Sequence, residues 1–165
     1  MTASFPEVKT DQDIVLVAAL AKEIWTEHYT PIIGSAQVEY MLANIQSERA
    51  IRRQIDHECF LYFLIESDGE PVGYIGVQLN DAELFLSKIY VRASERGKGL
   101  GGGAVRFVTE LAKKLGAKKI SLTVNKNNTA AIGSYEKYGF RNLGSTVKDI
   151  GGGFVMDDYK MELTL

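Results

Sequence analysis

The chain has 165 residues, of which 45% are hydrophobic and 24% are charged, and its formal net charge is -2. This length suits one ordinary domain with a full core, and the composition is that of a globular rather than a disordered protein. A charge near zero excludes general binding to nucleic acids or anionic membranes, because both need a sustained basic surface. We therefore expect a single domain over residues 1–165 with neither kind of partner.

The single cysteine and the chain start bear on the cellular compartment. Cys59 cannot form an internal disulfide, and it opens the apolar run 59–65, which predicts a buried, inert thiol. The first residues lack the basic and apolar regions of a secretory signal, and no apolar stretch reaches the ~18 residues that span a bilayer. These features favour an intracellular, cytoplasmic protein.

A long helix is predicted near the start of the chain. Thr10 followed by Asp13 resembles a capping box, and apolar residues recur at helical spacing from Ile14 to about Tyr29. We expect the helix to stop before Pro31, because the residue preceding a proline disfavours helical geometry.

Shorter elements flank this helix. Residues 4–9 are interpreted as an edge strand, and Ser35 and Ser47 are suitable N-caps for two shorter helices. Dense apolar runs separated by turn signals then predict an antiparallel meander. Its strands are expected at residues 60–65, 72–79 and 84–91, with turns at Asp68-Gly69 and Asn80-Asp81.

The rest of the chain alternates between helix and strand. An apolar stripe from Leu100 to Leu115 predicts a long helix that Gly116 ends. A strand at 120–124, a helix at 128–138 and two strands near 140–147 and 154–163 follow. The expected fold class is α+β, with a mixed central sheet of six to seven strands flanked by four or five helices, in which the meander precedes a β-α-β-α-β half.

The segment from Arg96 to Gly103 carries the strongest functional signal. It joins a strand to a helix, and glycines in the first helical turn cost roughly 0.5–1 kcal/mol each relative to alanine. Unpartnered N–H groups at a helix N-terminus suit a diphosphate that must approach the backbone closely. Arg96 and Lys98 add positive charge there, so we expect an anion site rather than tight helix packing.

Other phosphate-binding motifs fit this segment less well. Gly97 to Gly102 matches G-x-G-x-x-G, but a dinucleotide-binding fold needs an acidic residue about 20 positions later, and the next strand ends with Asn125. The P-loop pattern G-x-x-x-x-G-K-[ST] is absent, as are the lysine-bearing strand and catalytic loop of a protein kinase.

Two motifs in order make the chain resemble the GNAT acetyltransferase superfamily. Arg96-Gly97-Lys98-Gly99-Leu100-Gly101 is similar to the family's R/Q-x-x-G-x-G/A signature, and the stretch from Asn128 to Phe140 is similar to its N-x-x-A…Y-E-K-x-G-F segment. One helix and one strand separate the two, as in that family. The resemblance covers about Val72 to Leu165 clearly and implies a GNAT-like fold.

The resemblance also implies a cosubstrate, acetyl-CoA, and the residues that hold it; no metal is expected. The strand end Ile89, Tyr90 and Val91 would present backbone groups to the pantetheine arm. The pyrophosphate would lie on Arg96 and on the amides of Gly97, Lys98, Gly99, Leu100, Gly101 and Gly102, and Asn128 would reach the cofactor from the next helix.

In acyl transfer to an amine the departing thiolate needs a proton. The resemblance implies that Tyr135, two helical turns after Asn128, lies near the thioester sulfur and donates this proton, and core packing with Ala131 and Tyr138 is the other interpretation. The general base is left unassigned, because Glu83 precedes the core of its strand and Thr123 stands where one family branch has glutamate. His28 is interpreted as a hydrogen-bonded core histidine and His57 as a surface residue.

The resemblance also implies an acceptor site between the N-terminal helices and the last strands, where aromatic side chains and a carboxylate would suit a cationic amine. Asp157 and Asp158 should face opposite sides of their strand. The candidate residues are Trp25, Tyr29, Tyr40, Tyr74, Phe154, Met156, Asp157 and Asp158.

The sequence therefore predicts an N-acetyltransferase that transfers acetyl directly from acetyl-CoA to a primary amine. A small amine such as a polyamine is favoured, and a peptide or protein N-terminus is the second choice. A domain that only binds or senses acyl-CoA is the alternative. Exposed edges on the final strands make a homodimer possible.

Overall fold

The computed structural model describes residues 2–165, which form seven strands and five α-helices. The helices are α1 (Asp11–Ile33), α2 (Ser35–Ile45), α3 (Glu48–His57), α4 (Leu100–Lys114) and α5 (Thr129–Lys137). The strands are β1 (Ala3–Ser4), β2 (Phe60–Ser67), β3 (Glu70–Asn80), β4 (Glu83–Val91), β5 (Lys119–Asn125), β6 (Arg141–Gly151) and β7 (Phe154–Thr164). The predicted α+β class, strand number and helix number are confirmed.

All strands belong to one mixed sheet in the order β1-β2-β3-β4-β5-β7-β6. Strands β2, β3 and β4 form the predicted antiparallel meander, β4 and β5 pair in parallel, and β7 lies antiparallel between β5 and β6. The predicted edge strand is shorter than expected, with two residues in β1 and a single bridge from Glu7 to Phe63.

The capping box predicts the start of α1 correctly, but the proline does not end the helix. The Thr10 hydroxyl accepts from the Asp13 amide at 3.1 Å, and an Asp13 carboxylate oxygen accepts from the Thr10 amide at 3.1 Å. Pro31 lies inside the last turn, so the expected stop before it is wrong. A proline there removes one backbone hydrogen bond. The next helical hydrogen bonds still form, since the Gly34 amide donates to the Thr30 carbonyl at 3.0 Å.

Each face of the sheet carries its own apolar core. Helices α4 and α5 cover one face, where Leu100, Ala104 and Val108 are buried. Helices α1, α2 and α3 cover the other, with Trp25 and Met41 in the core. The sheet thus has two sides. One faces α4 and α5, and the other, here called the aromatic side, faces α1, α2 and α3.

A β-bulge in β4 changes which residues face which core. Gly76 of β3 pairs with Lys88, whereas the next residue, Val77, pairs with Leu86, so Ser87 is an extra residue. Leu86 packs on the α4 side, whereas Tyr90 packs on the α1 side. Strict alternation along a strand would give both the same face, so the bulge reverses the orientation of the strand's last residues.

Of the helices between residues 2 and 165, none has the length and apolarity needed to cross a membrane.

Candidate active site

The central cleft opens where two neighbouring strands part. Strands β4 and β5 pair over three positions, from Glu83 with Lys119 to Phe85 with Ser121, and then diverge. A cleft of about 770 Å³ occupies the opening and extends along the aromatic side of the sheet. Its position at the carboxyl ends of two parallel strands is typical of a ligand site in sheets of this kind.

The end of β4 forms one wall of this cleft. Ile89, Tyr90 and Val91 line the cleft along the edge where β5 no longer pairs with β4. Backbone groups on that side have lost their strand partner, so an extended ligand can pair with them as an added strand would. The geometry agrees with the role predicted for these three residues.

The glycine-rich turn leads from β4 into α4, next to the cleft. Gly97 and Gly99 have φ angles of +77° and +82°, which favour glycine, and Gly99 is the N-cap of α4. In the described chain no side chain caps this helix. A Cβ on Gly101 would have no protein atom of residues 2–165 within 4 Å, so folding does not require glycine at that position. The Leu100 side chain belongs to the core, so its backbone amide stays at the N-terminus of α4, which we call the helix mouth.

The two predicted cations of this turn have partners within the protein. Arg96 lines the cleft, and its Nε donates to the Val91 carbonyl at 3.1 Å, which ties the turn to the end of β4. Lys98 forms an ion pair with Glu95, with 2.9 Å between Nζ and the carboxylate oxygen, beside a second small depression. The ion pair leaves the Lys98 backbone amide available for the predicted cofactor contact, whereas its ammonium group would have to leave Glu95 to reach an anion.

The start of α5 lines the cleft together with Arg96. Asn128 is the N-cap of α5, is 7% exposed and lines the cleft beside His28. Burial lowers the pKa of His28 below its usual value, Arg96 lowers it further, and the neighbouring Asn128 amide opposes both. His28 is half-buried in the cleft wall rather than in the closed core.

Three phenols meet deeper in the cleft. The hydroxyls of Tyr29 and Tyr90 are 3.0 Å apart. Tyr135 from α5 lies close enough to raise the pKa of Tyr90 electrostatically, and Tyr29 in turn raises the pKa of Tyr135. Burial is the main cause that raises the pKa of Tyr135 above its ordinary value, so its hydroxyl stays protonated at physiological pH. Trp25 packs edge-on against Tyr29 and Tyr90.

A buried carboxyl group completes this end of the cleft. Asp158 on β7 is 4% exposed and lines the cleft, whereas the adjacent Asp157 is exposed and pairs with Lys126 at 2.7 Å. Burial, followed by repulsion from Asp157, raises the pKa of Asp158 to about 6, against a hydrogen bond from Thr123. The expected opposite orientation of the two aspartates is confirmed.

Three aromatic residues predicted for the acceptor site lie elsewhere. Tyr74 is fully buried, and its hydroxyl donates to the Gln46 side chain at 2.7 Å, so it is a core residue behind the cleft wall. Tyr40 donates to the Ile150 carbonyl at 2.9 Å and packs against Phe154. All three lie in the region of the chain where the acceptor was expected, but Tyr90 and Trp25 lie between Tyr74 and the opening.

The prediction of a buried thiol is wrong. Cys59 is exposed and has a φ angle of 58°, because it turns the chain between the end of α3 and the start of β2. The apolar run therefore begins one residue later, at Phe60. His57 is exposed, as expected.

A lysine that the sequence analysis missed also lines the cleft. Lys88 is 6% exposed and lies on the α1 side of β4, in the same orientation as Tyr90. Period-two alternation with Leu84 and Leu86 would have assigned it to the other face. A lysine within an otherwise apolar strand was the available signal, but the bulge at Ser87 decides where it faces.

Acetyl-CoA fits the residues that surround the cleft. A helix mouth without side-chain caps suits a diphosphate, and the unpaired strand edge suits the two amides of a pantetheine arm. The arm would then end at the buried phenols, where a thioester is protected from water.

A family model described as acetyltransferase (GNAT) family matches residues 18–140. The chain belongs to the GNAT family. The resemblance inferred from the glycine turn and the α5 segment is thereby confirmed.

Curated relatives of this GNAT chain match over part of their length. A Bacillus subtilis protein assigned provisionally as a ribosomal protein bS18-alanine N-acetyltransferase is 34% identical over 80 residues, 48% of this chain and 53% of the relative. Mycothiol acetyltransferase of Corynebacterium glutamicum is 40% identical over 77 residues, 44% of this chain and 26% of the relative. The chain spans about half or less of the length of these relatives.

Solved structures share the GNAT fold across the whole chain. PaiA N-acetyltransferase from Thermoplasma acidophilum, in complex with coenzyme A, has a TM-score of 0.81 at 20% identity and covers 100% of both chains. The ribosomal-protein-S18-alanine N-acetyltransferase from Escherichia coli has a TM-score of 0.74 at 20% identity, over 99% of this chain and 94% of that one. At these identities the likeness establishes the fold.

Proposed function

We propose that this GNAT protein is an N-acetyltransferase that transfers acetyl directly from acetyl-CoA to a primary amine. The observation that carries this proposal is the cleft between β4 and β5, at which an uncapped helix mouth, an unpaired strand edge and a buried phenol converge. The helix mouth suits the pyrophosphate, the strand edge suits the pantetheine arm and the phenol suits the thioester, which is the order of these groups along acetyl-CoA.

The helix mouth and strand edge would bind the cosubstrate. Amides from Gly97 to Gly102 would hold the pyrophosphate, with the guanidinium of Arg96 beside them. Ile89 to Val91 would pair with the pantetheine arm through backbone groups, and Asn128 would contact the arm from the opposite wall. Lys98 would contribute to binding after leaving Glu95.

Acetyl-CoA supplies a thioester whose carbonyl carbon accepts a neutral amine and whose sulfur leaves with the bonding electron pair. Backbone N–H groups at the end of β4 would stabilise negative charge on the carbonyl oxygen. Tyr135 would donate its phenolic proton to the sulfur. Burial raises the pKa of Tyr135, so the phenol is protonated before it donates. The proton that the attacking nitrogen gives up would then restore the phenol.

The amine must lose a proton before it attacks. An alkylamine has a pKa near ~10.4, so about one molecule in a thousand is neutral at pH 7. Asp158 has a pKa raised to about 6 and is mostly ionised at pH 7, which suits it to hold an alkylammonium group in the cleft. Trp25 and Tyr29 would form the aromatic wall beside that group.

The acceptor is a primary amine on a small molecule, a polyamine for example, or at a peptide N-terminus. Supporting the small molecule are the edge-on aromatic wall of Trp25 and Tyr29 and the buried carboxyl group of Asp158 in the cleft. Supporting the peptide is the sequence similarity to a provisional ribosomal protein bS18-alanine N-acetyltransferase.

The test is release of free thiol from acetyl-CoA over a panel of polyamines, amino acids and peptides. Thiol release that depends on an acceptor supports transfer. Binding of acetyl-CoA without thiol release, across the whole panel, would instead favour a domain that senses acyl-CoA.

Direct transfer also predicts that Cys59 does not carry the acetyl group. We expect Cys59→Ala to keep kcat within about two-fold, because the thiol lies at an exposed turn between α3 and β2. Loss of activity together with an acetylated Cys59 in the parent protein, read by mass spectrometry, would indicate a covalent route.

A further inference from the structure

Lys88 is a buried lysine in the cleft that has no role in the proposed reaction. Its side chain is 6% exposed and lines the cleft on the acceptor side of the sheet. The ammonium nitrogen lies 2.6 Å from the Ser87 hydroxyl and 5.0 Å from the centroid of the Phe60 ring. Within residues 2–165, no carboxylate oxygen lies within 4.0 Å of this nitrogen.

An ammonium group in these surroundings has unused binding capacity. It carries three N–H donors, and the described residues provide one hydroxyl acceptor and one aromatic face. Burial of a charge costs several kcal/mol unless a partner of opposite charge is bound. The free donors of Lys88 therefore lack an anion, and the cleft is the space from which one can reach them.

The charged groups near Lys88 do not supply that anion. Glu58, at the end of α3, is already paired with Arg53, with 3.0 Å between Nε and the carboxylate oxygen. Lys148 of β6 lines the same part of the cleft and adds further positive charge. Burial lowers the pKa of Lys88 to about 7, with Glu58 opposing this shift and Lys148 adding to it.

We propose that Lys88 binds a carboxylate of the acceptor, so that the substrate class is an amine that also carries a carboxylate, such as an amino acid. This proposal rests on the proposed acetyl transfer and specifies its acceptor. A polyamine would instead bring further positive charge to a region that already holds Lys88, Lys148 and Arg53.

The cleft has complementary ends for such a molecule. Asp158 lies near the hydroxyl of Tyr29, at the end where the phenols meet. Lys88 lies two residues before Tyr90 on the same face of β4, about 7 Å along the strand. The amine would bind at the carboxylate end, close to Tyr135, and the carboxylate of the acceptor would bind at the lysine end.

The first experiment compares matched acceptors that differ only in the carboxylate. We would measure kcat/KM for leucine and phenylalanine against their decarboxylated amines, with spermidine included. The expected result is a preference of at least ten-fold for the carboxylated acceptors, and Lys88→Met should reduce that preference by ten-fold or more. Lys22→Met, on an exposed part of α1, is the matched control and should leave both rates unchanged.

The second experiment does not need turnover. Calorimetry would measure binding of N-acetyl-leucine, which retains the carboxylate, to the parent protein and to Lys88→Met in two buffers with different ionisation enthalpies. At pH 8 the free amine of Lys88 is mostly neutral, so binding should take up close to one proton, falling toward zero at pH 6. The variant should show weaker binding and no uptake at either pH.

The outcomes separate this proposal from the function on which it rests. Equal or better rates with decarboxylated amines or spermidine would overturn the proposal while acetyl transfer stands. Absence of proton uptake in the parent protein would overturn it even if no acceptor turns over. Carboxylate binding with proton uptake but no thiol release would support the Lys88 site and count against acetyl transfer. If Lys88→Met does not fold, the parent protein's acceptor preference and proton uptake still decide.

Discussion

Tyr135 and Tyr159 are both partly buried phenols, but their surroundings differ. Tyr135 lines the cleft, whereas the ring centroid of Tyr159 on β7 lies 5.6 Å from the ammonium nitrogen of Lys126, just after β5. We expect Tyr135→Phe to lower kcat by about 100-fold, because loss of a general acid typically costs 10²–10⁴-fold, and to change the Kd of acetyl-CoA by less than about two-fold. Steady-state rates and calorimetry would measure the two quantities.

Tyr159→Phe is the control for this substitution and should retain the parent rate. An unchanged kcat in Tyr135→Phe between pH 6 and pH 9 would remove the acid role and leave Tyr135 as a packing residue.

Asp158 makes the stability of the protein depend on pH. Its pKa is raised from 3.8 to about 6 by burial, so the folded state binds more protons than the unfolded state between these values. The contribution of Asp158 to stability therefore falls as pH rises through this window, whereas Lys88, whose pKa burial lowers to about 7, contributes in the opposite direction. Between pH 5 and pH 8 the loss due to Asp158 should be about 1–1.5 kcal/mol relative to a protein without this carboxyl group.

Asp158→Asn should remove that loss, because an amide does not ionise. Urea unfolding of both proteins at pH 5 and pH 8 would measure the difference. The same pH dependence in both proteins would mean that Asp158 is not the group responsible.

Single residues were harder to predict than the elements that carry them. Tyr74 and Tyr90 pair across β3 and β4, yet Tyr90 lines the cleft and Tyr74 is sealed behind it. Alternation reports the face of a strand but not the depth of a side chain beneath neighbouring helices. Lys88 was missed for a different reason, since one extra residue in β4 reverses its orientation.

At the scale of elements, the turn before α4 can be tested through its open glycine. Gly101 has a helical backbone and no protein atom near its missing Cβ, so Gly101→Leu should fold normally. We expect it to weaken acetyl-CoA binding by ten-fold or more, because the side chain would occupy the space in front of the helix mouth. Calorimetry and a thermal melt would measure binding and folding.

Gly133 of α5 offers the matched control, since its missing Cβ also meets no atom of the described chain within 4 Å. Gly133→Leu should retain the parent affinity. Equal affinity in Gly101→Leu would show that the glycine turn does not receive the pyrophosphate.

The elements themselves were predictable where a local interaction fixes their ends. The capping box at Thr10 and the turn at Asp68-Gly69 gave correct boundaries, because the atoms that determine them are neighbours in the chain. Pro31 misled the prediction, because a proline in a final turn costs one hydrogen bond that tertiary packing outweighs. The divergence of β4 from β5 depends on contacts between residues distant in sequence, so no local sequence pattern predicted it.

At the scale of the molecule, cofactor binding should stabilise the fold. A ligand that binds the folded state at 100 times its Kd adds about 2.7 kcal/mol, which is roughly 5–10 °C in Tm for a chain of this size. We expect that shift with coenzyme A and none with NADH at the same concentration. A shift with NADH alone would favour the dinucleotide reading of the glycine motif.

The outer edge of the sheet bears on the oligomeric state. Strand β6 is an edge strand, and Leu143 and Val147 on it are 50% and 63% exposed. An open edge with apolar side chains favours pairing with a second copy, and the homodimer stays a prediction. Sedimentation should show a dimer that Val147→Lys shifts toward monomer; a parent protein that is monomeric at all concentrations would contradict it.

The short pairing between β4 and β5 also has a consequence for the step that limits turnover. Three residue pairs join the two halves of the sheet along this seam, and we expect a bound ligand to supply the missing hydrogen-bond partners beyond them. Amides along the seam should exchange with deuterium rapidly in the empty protein and slowly once coenzyme A is bound. Release of the product would then break the hydrogen bonds between the ligand and the end of β4, and we expect the rate of this step to limit turnover.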